Sequence, residues 1–113
     1  MRLNFLIKAL ISLILLVSAG KRVLAATPVI ELEIKNHLFT PSEIVVPENT
    51  KVKLVIHNRD ETDEEFESYE LNREKVIIGN RKGVIFIGPL PAGEYPFFGE
   101  FFPKTAQGKV IVK

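Results

Sequence analysis

The stretch of sequence that decides the fold lies close to the C-terminus and reads LPAGEYPFFGEFFPKTAQGKVIV, residues 90–112. It opens with Pro91-Ala92-Gly93, in which proline presets φ and glycine closes a tight turn. Residues typical of strands follow at Glu94–Phe98 and again at Lys109–Val112. The segment therefore predicts two short strands, with a loop around Glu100 between them.

The chain upstream of this segment also consists of short strand patterns separated by turn signals. Ile30, Leu32 and Ile34 alternate with charged residues, as in a strand with one buried face. No stretch of the mature chain leaves room for a helix of normal length. Further strands are predicted at Glu43–Val46, Val52–Ile56, Lys75–Ile78 and Val84–Ile87. Seven or eight short strands at this spacing predict an all-β domain, an antiparallel sandwich or barrel.

The N-terminal residues have the features of a secretory signal peptide. Arg2 and Lys8 precede an apolar run of about signal-peptide length, and small residues before Thr27 offer a cleavage site. We expect a signal peptide over residues 1–25, cleaved after Ala25 or Ala26, and one domain over residues 27–113. The alternative is an uncleaved membrane anchor, but the run is shorter than the ~20 residues that a span needs. The expected location is the periplasm, without stable insertion in the membrane after cleavage.

Charge and sulfur content narrow the class of function. The chain has 15 basic and 14 acidic residues, but four of the basic residues lie in the predicted signal peptide. The mature chain would carry 11 basic residues against 14 acidic ones, a net charge near −3. We therefore expect no nucleic-acid partner. There is no cysteine, and the single methionine is Met1, so thiol chemistry is excluded.

Two long motifs carry a resemblance to a known family. Residues 39–60 read FTPSEIVVPENTKVKLVIHNRD, and with residues 90–112 they resemble the opening and the closing hairpin of a cupredoxin, the β-sandwich family that holds blue copper. Glu64–Leu71, Glu74–Ile77 and Phe97–Phe101 are similar to motifs of the EfeO-type subgroup, whose members accompany bacterial iron-uptake permeases. The resemblance covers nearly all of the mature chain and implies a Greek-key β-sandwich or barrel.

The same resemblance implies where a blue-copper centre would lie. The family's cysteine position reads Gly99 in this chain, the histidine position reads Phe102, and the methionine position falls at about Ala106. A blue-copper centre needs a thiolate and two imidazoles, so we expect no type 1 copper. Many relatives of the subgroup carry histidine where this chain has Tyr69 and Phe102. Metal binding is therefore not carried over onto those two positions.

An acidic stretch over residues 60–70 holds seven carboxylates in eleven residues. Two carboxylates ~4 Å apart repel by ~4 kcal/mol at an effective dielectric of ~20. Such a stretch must splay into water, pair with basic residues or hold a cation. If it is extended, Glu65, Glu67 and Tyr69 project to one side, which the resemblance implies is the side of the first histidine ligand. We expect Glu65 and Glu67 to point inward and bind a hard cation such as ferric iron, manganese or calcium; the alternative is a solvated acidic loop.

Three further residues are candidate metal ligands. Glu100 lies in the loop where the resemblance places the family's copper ligands. It would face Glu65 and Glu67 across one end of the sandwich, which we call the pole. His37 and His57 follow the first and third strands, whose ends meet at one pole in an up-down-up path. A site of histidine and glutamate would take copper(II), zinc or iron. The alternative is two exposed histidines and a solvent-facing glutamate.

These observations favour a periplasmic accessory protein that binds or delivers iron or another metal to an uptake system. Its expected partner is an iron permease or another periplasmic uptake protein. The alternative is a metal-free module that docks on an iron-transport or electron-transfer partner. Its surface would consist of Asp63, Glu64, Glu70, Phe101 and Phe102. Catalysis is not expected, because the chain lacks a cysteine nucleophile, a phosphate loop and a serine with a plausible base; oxidation of iron at a carboxylate site is the one reaction left open.

Overall fold

Nine strands make up the computed structural model, which describes residues 26–113. The predicted signal peptide at residues 1–25 lies outside the described residues. The strands are β1 Val29–Lys35, β2 Leu38–Thr40, β3 Glu43–Val46, β4 Val52–Asn58, β5 Glu64–Ser68, β6 Arg73–Ile77, β7 Lys82–Ile87, β8 Gly93–Gly99 and β9 Gln107–Val112. Within residues 26–113 no helix is long and apolar enough to cross a membrane.

The strands form two sheets, one of four strands in the order β2-β1-β4-β7 and one of five in the order β3-β9-β8-β5-β6. The predicted all-β sandwich is confirmed, but two details of the prediction are wrong. Residues 26–113 form nine strands rather than seven or eight. The pairs β1–β4 and β3–β9 are parallel, so the sheets are mixed. The two missed strands are β2, which has three residues, and β5, whose sequence is mostly acidic.

Alternating burial along the strands builds one core between the sheets. Leu32 and Ile34 of β1 face inward, and β4 contributes Leu54 and Ile56, each at most 1% exposed. Three phenylalanines fill the space nearest the pole. Phe66 and Phe97 stack with ring centroids 4.9 Å apart, and Phe39 packs edge-on against Phe97 at the same distance. Aromatic burial of this kind compensates for the absence of disulfides in a domain of this size.

The parallel pairing of β1 with β4 brings two connections to the same pole. Glu33 lies beside His57 and Ile34 beside Asn58 in the register of the pair. The β1–β2 turn and the start of the β4–β5 connection therefore leave the sheet side by side. The β8–β9 loop, residues 100–106, completes this pole. Its closure is marked by the bond from the Gly99 N–H to the carbonyl oxygen of Ala106, 2.8 Å long.

Candidate functional site

The β1–β2 turn is fixed by a carboxylate from the β4–β5 connection. Asn36 and His37 both have positive φ, 53° and 59°, as a two-residue type I′ hairpin turn requires. Asp60 accepts the N–H of Asn36 at 2.8 Å on Oδ1 and the N–H of His37 at 3.0 Å on Oδ2. The Nδ1 atom of His37 also lies 3.5 Å from that Oδ2. The sequence correctly placed His37 beside the acidic stretch, but the contact holds a turn.

The buried side chain of Asn58 holds the β4–β5 connection in place. Its Nδ2 donates to the carbonyl oxygens of Thr62, at 2.8 Å, and Ile77, at 3.0 Å. Its Oδ1 accepts the N–H of Asp60 at 3.0 Å. Asn58 is 1% exposed, so these three bonds replace water that the amide cannot reach. The amide thereby positions Asp60 for its contact with the β1–β2 turn.

The β8–β9 loop covers the turn with aromatic side chains. The rings of His37 and Phe102 are stacked, with centroids 3.6 Å apart and planes 13° from parallel. Thr105 Oγ1 donates to the carbonyl oxygen of His37 at 2.7 Å. Phe101 remains 48% exposed, beside a cleft of about 370 Å³ that these residues line together with Pro103 and Lys104. The pole therefore presents an apolar surface to solvent.

An acidic cluster lies on the outer face of the five-stranded sheet. Glu65, Glu67 and Glu74 each place one carboxylate oxygen within 4.8 Å of the others, and among residues 26–113 no other group of three or more potential ligands does so. Glu74 was missed by the sequence analysis. Glu74 belongs to the cluster because β5 and β6 are paired in a register that puts Glu74 directly opposite Glu67. A β5–β6 hairpin register would have predicted it, but the acidic stretch was interpreted as a loop.

The surroundings of Glu67 within the cluster perturb its protonation. Partial desolvation raises the pKa of Glu67 above its ordinary value of 4.5, and a side-chain hydrogen bond with Glu65 raises it further. The negative charges of Glu74, Glu65 and Glu100 act in the same direction. Crowded carboxylates raise one another's pKa in this way because each ionised group disfavours the next. A cation at the cluster would relieve this repulsion.

The expectation that Glu65 and Glu67 point inward is wrong. Alternation along β5 puts Glu64, Phe66 and Ser68 in the core and Glu65 and Glu67 on the outer face. The same alternation corrects the assignment of Glu64 to an exposed partner surface, because Glu64 is 1% exposed. Its Oε1 accepts the N–H of Glu65 and the N–H of Phe101, both at 2.9 Å. Its Oε2 is buried without a hydrogen-bond partner among the described residues.

The residues at the pole do not fit a blue-copper ion. Gly99, Phe102 and Ala106 offer neither thiolate, imidazole nor thioether, as the sequence already indicated. The space is also filled. A Cβ atom added at Gly99 would lie 2.5 Å from Oε2 of Glu64 and 2.7 Å from Cβ of Ala106, well inside the ≈ 3.5–4.0 Å of ordinary contact. A cysteine side chain at this position would overlap the carboxyl group of Glu64.

The remaining candidate residues are dispersed over the surface. His57 is on the outer face of the four-stranded sheet, where its Nε2 lies 3.3 Å from Oε1 of Glu31, so it does not join His37 at a common site. Glu100 donates its N–H to the carbonyl oxygen of Glu65 at 2.9 Å, and it is adjacent to the acidic cluster without belonging to it. Asp63 and Glu70 are exposed, as expected of surface residues. Asp63 also accepts the N–H of Gly79 at 2.9 Å.

Comparison with known proteins gives matches over nearly the whole chain. The protein family described as "Cupredoxin-like domain" matches residues 8–112. An uncharacterized protein of Rickettsia prowazekii (strain Madrid E) is 46% identical over 83 residues, which are 74% of this chain and 66% of that protein. The matched segment thus spans just under two thirds of that relative's length.

Solved structures of the same architecture are similar at low sequence identity. Auracyanin A, a "blue" copper protein from Chloroflexus aurantiacus, superimposes with a TM-score of 0.66 at 14% identity, over 78% of this chain and all of that chain. A copper binding protein solved in its apo form has the same TM-score at 19% identity, over 81% of this chain and 93% of that chain. At these identities the likeness shows the fold alone.

Proposed function

The chain belongs to the cupredoxin-like domain family, and on that premise we propose that it is a periplasmic accessory protein whose pole binds a partner protein. A type 1 copper centre is absent, because the chain has no cysteine. The observation that carries the proposal is the exposed aromatic surface at the pole, in which Phe101 is 48% exposed beside the stacked rings of His37 and Phe102. Exposed apolar groups beside a cleft mark protein-binding surfaces.

The charges next to this surface indicate the chemistry of the partner. The acidic cluster lies one strand away from the loop, and Glu100 lies between the two. An apolar centre with an acidic border is complementary to a surface with exposed apolar side chains bordered by lysine or arginine. The resemblance to the EfeO-type subgroup makes an iron permease, or another uptake protein of the periplasm, the partner we propose.

Binding to an iron permease of the EfeO-associated type tests the proposal directly. Phe101→Ala should weaken binding at least about tenfold, which corresponds to about 1.4 kcal/mol, because truncation of a central aromatic residue typically costs more than about 1 kcal/mol. Phe86→Ala is the matched control, since Phe86 is 43% exposed but lies on β7 under the ammonium group of Lys51. Equal affinities of the Phe101→Ala variant and the wild type would refute docking at the pole.

A second candidate function is binding of a hard metal ion, iron in particular, at the acidic cluster. The specific observation is the convergence of Glu65, Glu67 and Glu74 within 4.8 Å, with the pKa of Glu67 raised. Carboxylate oxygens favour ferric iron, manganese or calcium over cuprous copper. The protein would then carry iron to the permease. Oxidation of iron at the cluster is the variant of this proposal that would make the protein an enzyme.

Calorimetry with manganous ion and with ferric citrate tests whether the acidic cluster binds a hard metal ion. Glu65→Gln/Glu67→Gln should abolish heat from specific binding, whereas Glu48→Gln should not, because Glu48 is an exposed residue of the β3–β4 turn outside the cluster. Binding should weaken as the pH falls towards 4.5, because protonated carboxyl groups do not ligate metals. Identical titrations of the double variant and the wild type would exclude these glutamates as ligands.

A further inference from the structure

Among residues 26–113, Glu64 is the one ionisable residue that is buried in the core. It is 1% exposed, and its carboxyl group joins two elements that are 37 residues apart in sequence. Oε1 accepts the N–H of Phe101 in the β8–β9 loop at 2.9 Å and the N–H of Glu65 in its own strand at the same distance.

The position of this group is possible only because residue 99 is glycine. Any Cβ at Gly99 would overlap the carboxyl group of Glu64. Gly99 has no positive φ that would require glycine for backbone reasons, and it is buried at the end of β8. The space that a larger side chain would take at residue 99 is instead occupied by the side chain of Glu64. Glu64 and Gly99 are thus sterically coupled.

We propose that Glu64 takes the place of a metal ion in organising the pole. In a metal-bound version of this fold, ligand bonds would tie the loop to the sandwich; here the bond from Phe101 N–H to Glu64 does so. The loop is therefore ordered in the metal-free protein. One consequence rests on the proposed function: the docking surface around Phe101 is permanently formed, and partner binding does not depend on copper or on its oxidation state.

Amide hydrogen exchange in the chelator-treated protein tests the role of Glu64. The Phe101 amide should be protected in the wild type. Glu64→Leu removes the acceptor and fills its place with an apolar side chain of similar size. It should raise the exchange rate of the Phe101 amide about tenfold or more. Glu64→Gln retains a carbonyl oxygen as acceptor and should give a smaller increase. The Lys109 amide, which bonds to the carbonyl oxygen of Ser42, is the internal control and should not change. An unchanged Phe101 rate in Glu64→Leu would overturn the proposal.

A double-mutant cycle keeps the proposal testable if Glu64→Leu does not fold. Gly99→Ala should lower the urea midpoint of the wild type, because its methyl group meets the carboxyl group of Glu64. The same substitution should lower the midpoint of Glu64→Ala by less, because the space is then vacant. Part of the cost remains in both backgrounds, since the methyl group also meets Ala106. Equal shifts in the two backgrounds would show that Glu64 and Gly99 are not coupled and would overturn the proposal.

The two proposals fail in different ways. If Phe101→Ala weakens partner binding while Glu64→Leu leaves the Phe101 amide protected, docking at the pole stands and the role of Glu64 is refuted. If the Phe101 amide loses protection in Glu64→Leu while Phe101→Ala binds the partner as the wild type does, Glu64 orders the loop and the proposed docking function is refuted.

Discussion

Replacement of Asn58 by alanine should be among the most destabilising polar substitutions in this domain. The amide makes three hydrogen bonds, to Thr62 and Ile77 through Nδ2 and from Asp60 to Oδ1. A net contribution of about 1 kcal/mol for each bond gives a loss of about 3 kcal/mol. The carbonyl oxygen of Ile77 would also remain buried without its partner, so the loss should not be smaller. For a domain of this size the thermal midpoint should fall by roughly 12–24 °C.

Urea unfolding at neutral pH measures this loss. Thr62→Ala is the control, because Thr62 offers its backbone carbonyl oxygen to Asn58 and its exposed side chain makes no hydrogen bond among the described residues. The control should differ from the wild type by no more than about 0.5 kcal/mol. If Asn58→Ala lost less than about 1 kcal/mol with an unchanged m-value, the three bonds would not hold the β4–β5 connection, and the account of how the pole is built would be wrong.

Three other outcomes follow from the structure. The pKa of Glu67 is raised above 4.5 in the folded protein, so protonated Glu67 stabilises the fold below pH 4.5 and this contribution is lost as the pH rises through the raised pKa. The thermal midpoints of the wild type and of Glu67→Gln should therefore diverge as the pH rises through the raised pKa. Parallel plots of the two midpoints against pH would contradict this prediction. Phe66 is fully buried against Phe97, so Phe66→Ala should lower the free energy of unfolding, measured in urea, by about 3–5 kcal/mol and Phe66→Leu by clearly less. Equal losses for the two variants would argue against this packing. Mass spectrometry of the exported protein should find a chain that begins at Ala26 or Thr27, and an intact Met1 would refute the signal peptide.

Much of the fold could be predicted because most strands follow the simple alternation of apolar and polar residues. Ile30, Leu32 and Ile34 gave β1, and the Pro91-Ala92-Gly93 turn gave the start of β8, which begins at Gly93. Strand β5 could not be found in this way, because its inward positions include Glu64 and Ser68 and its outward positions are also acidic. The parallel pairs are likewise invisible to a local pattern, since they join segments that are distant in sequence.

The candidate site was predicted only in part, and for a related reason. The sequence placed His37, His57, the acidic stretch and the β8–β9 loop at one pole. The structure brings His37, Asp60 and the β8–β9 loop together there, but it leaves His57 on the outer face of the four-stranded sheet. It reversed the two faces of β5, because the resemblance suggested that Glu65 and Glu67 take the ligand side, whereas Phe66 must lie in the core and takes Glu64 with it. Glu74 was missed because its position depends on the register of the β5–β6 pair. Hydrogen bonds such as that from Phe101 to Glu64 have no signature in the sequence.

Titration of the chelator-treated protein with copper(I) tests most directly whether the pole is complete without a metal ion. The measurement is the chemical shift of the Phe101 and Gly99 amide resonances. Copper(I) is diamagnetic, so it does not broaden these resonances, and its binding beside Gly99 would shift them. The account predicts that both resonances are sharp before titration and do not shift in excess copper(I), because Glu64 already occupies the space beside Gly99. Broad resonances that sharpen and shift on addition of copper(I) would show that the loop requires a metal ion, and would contradict the account.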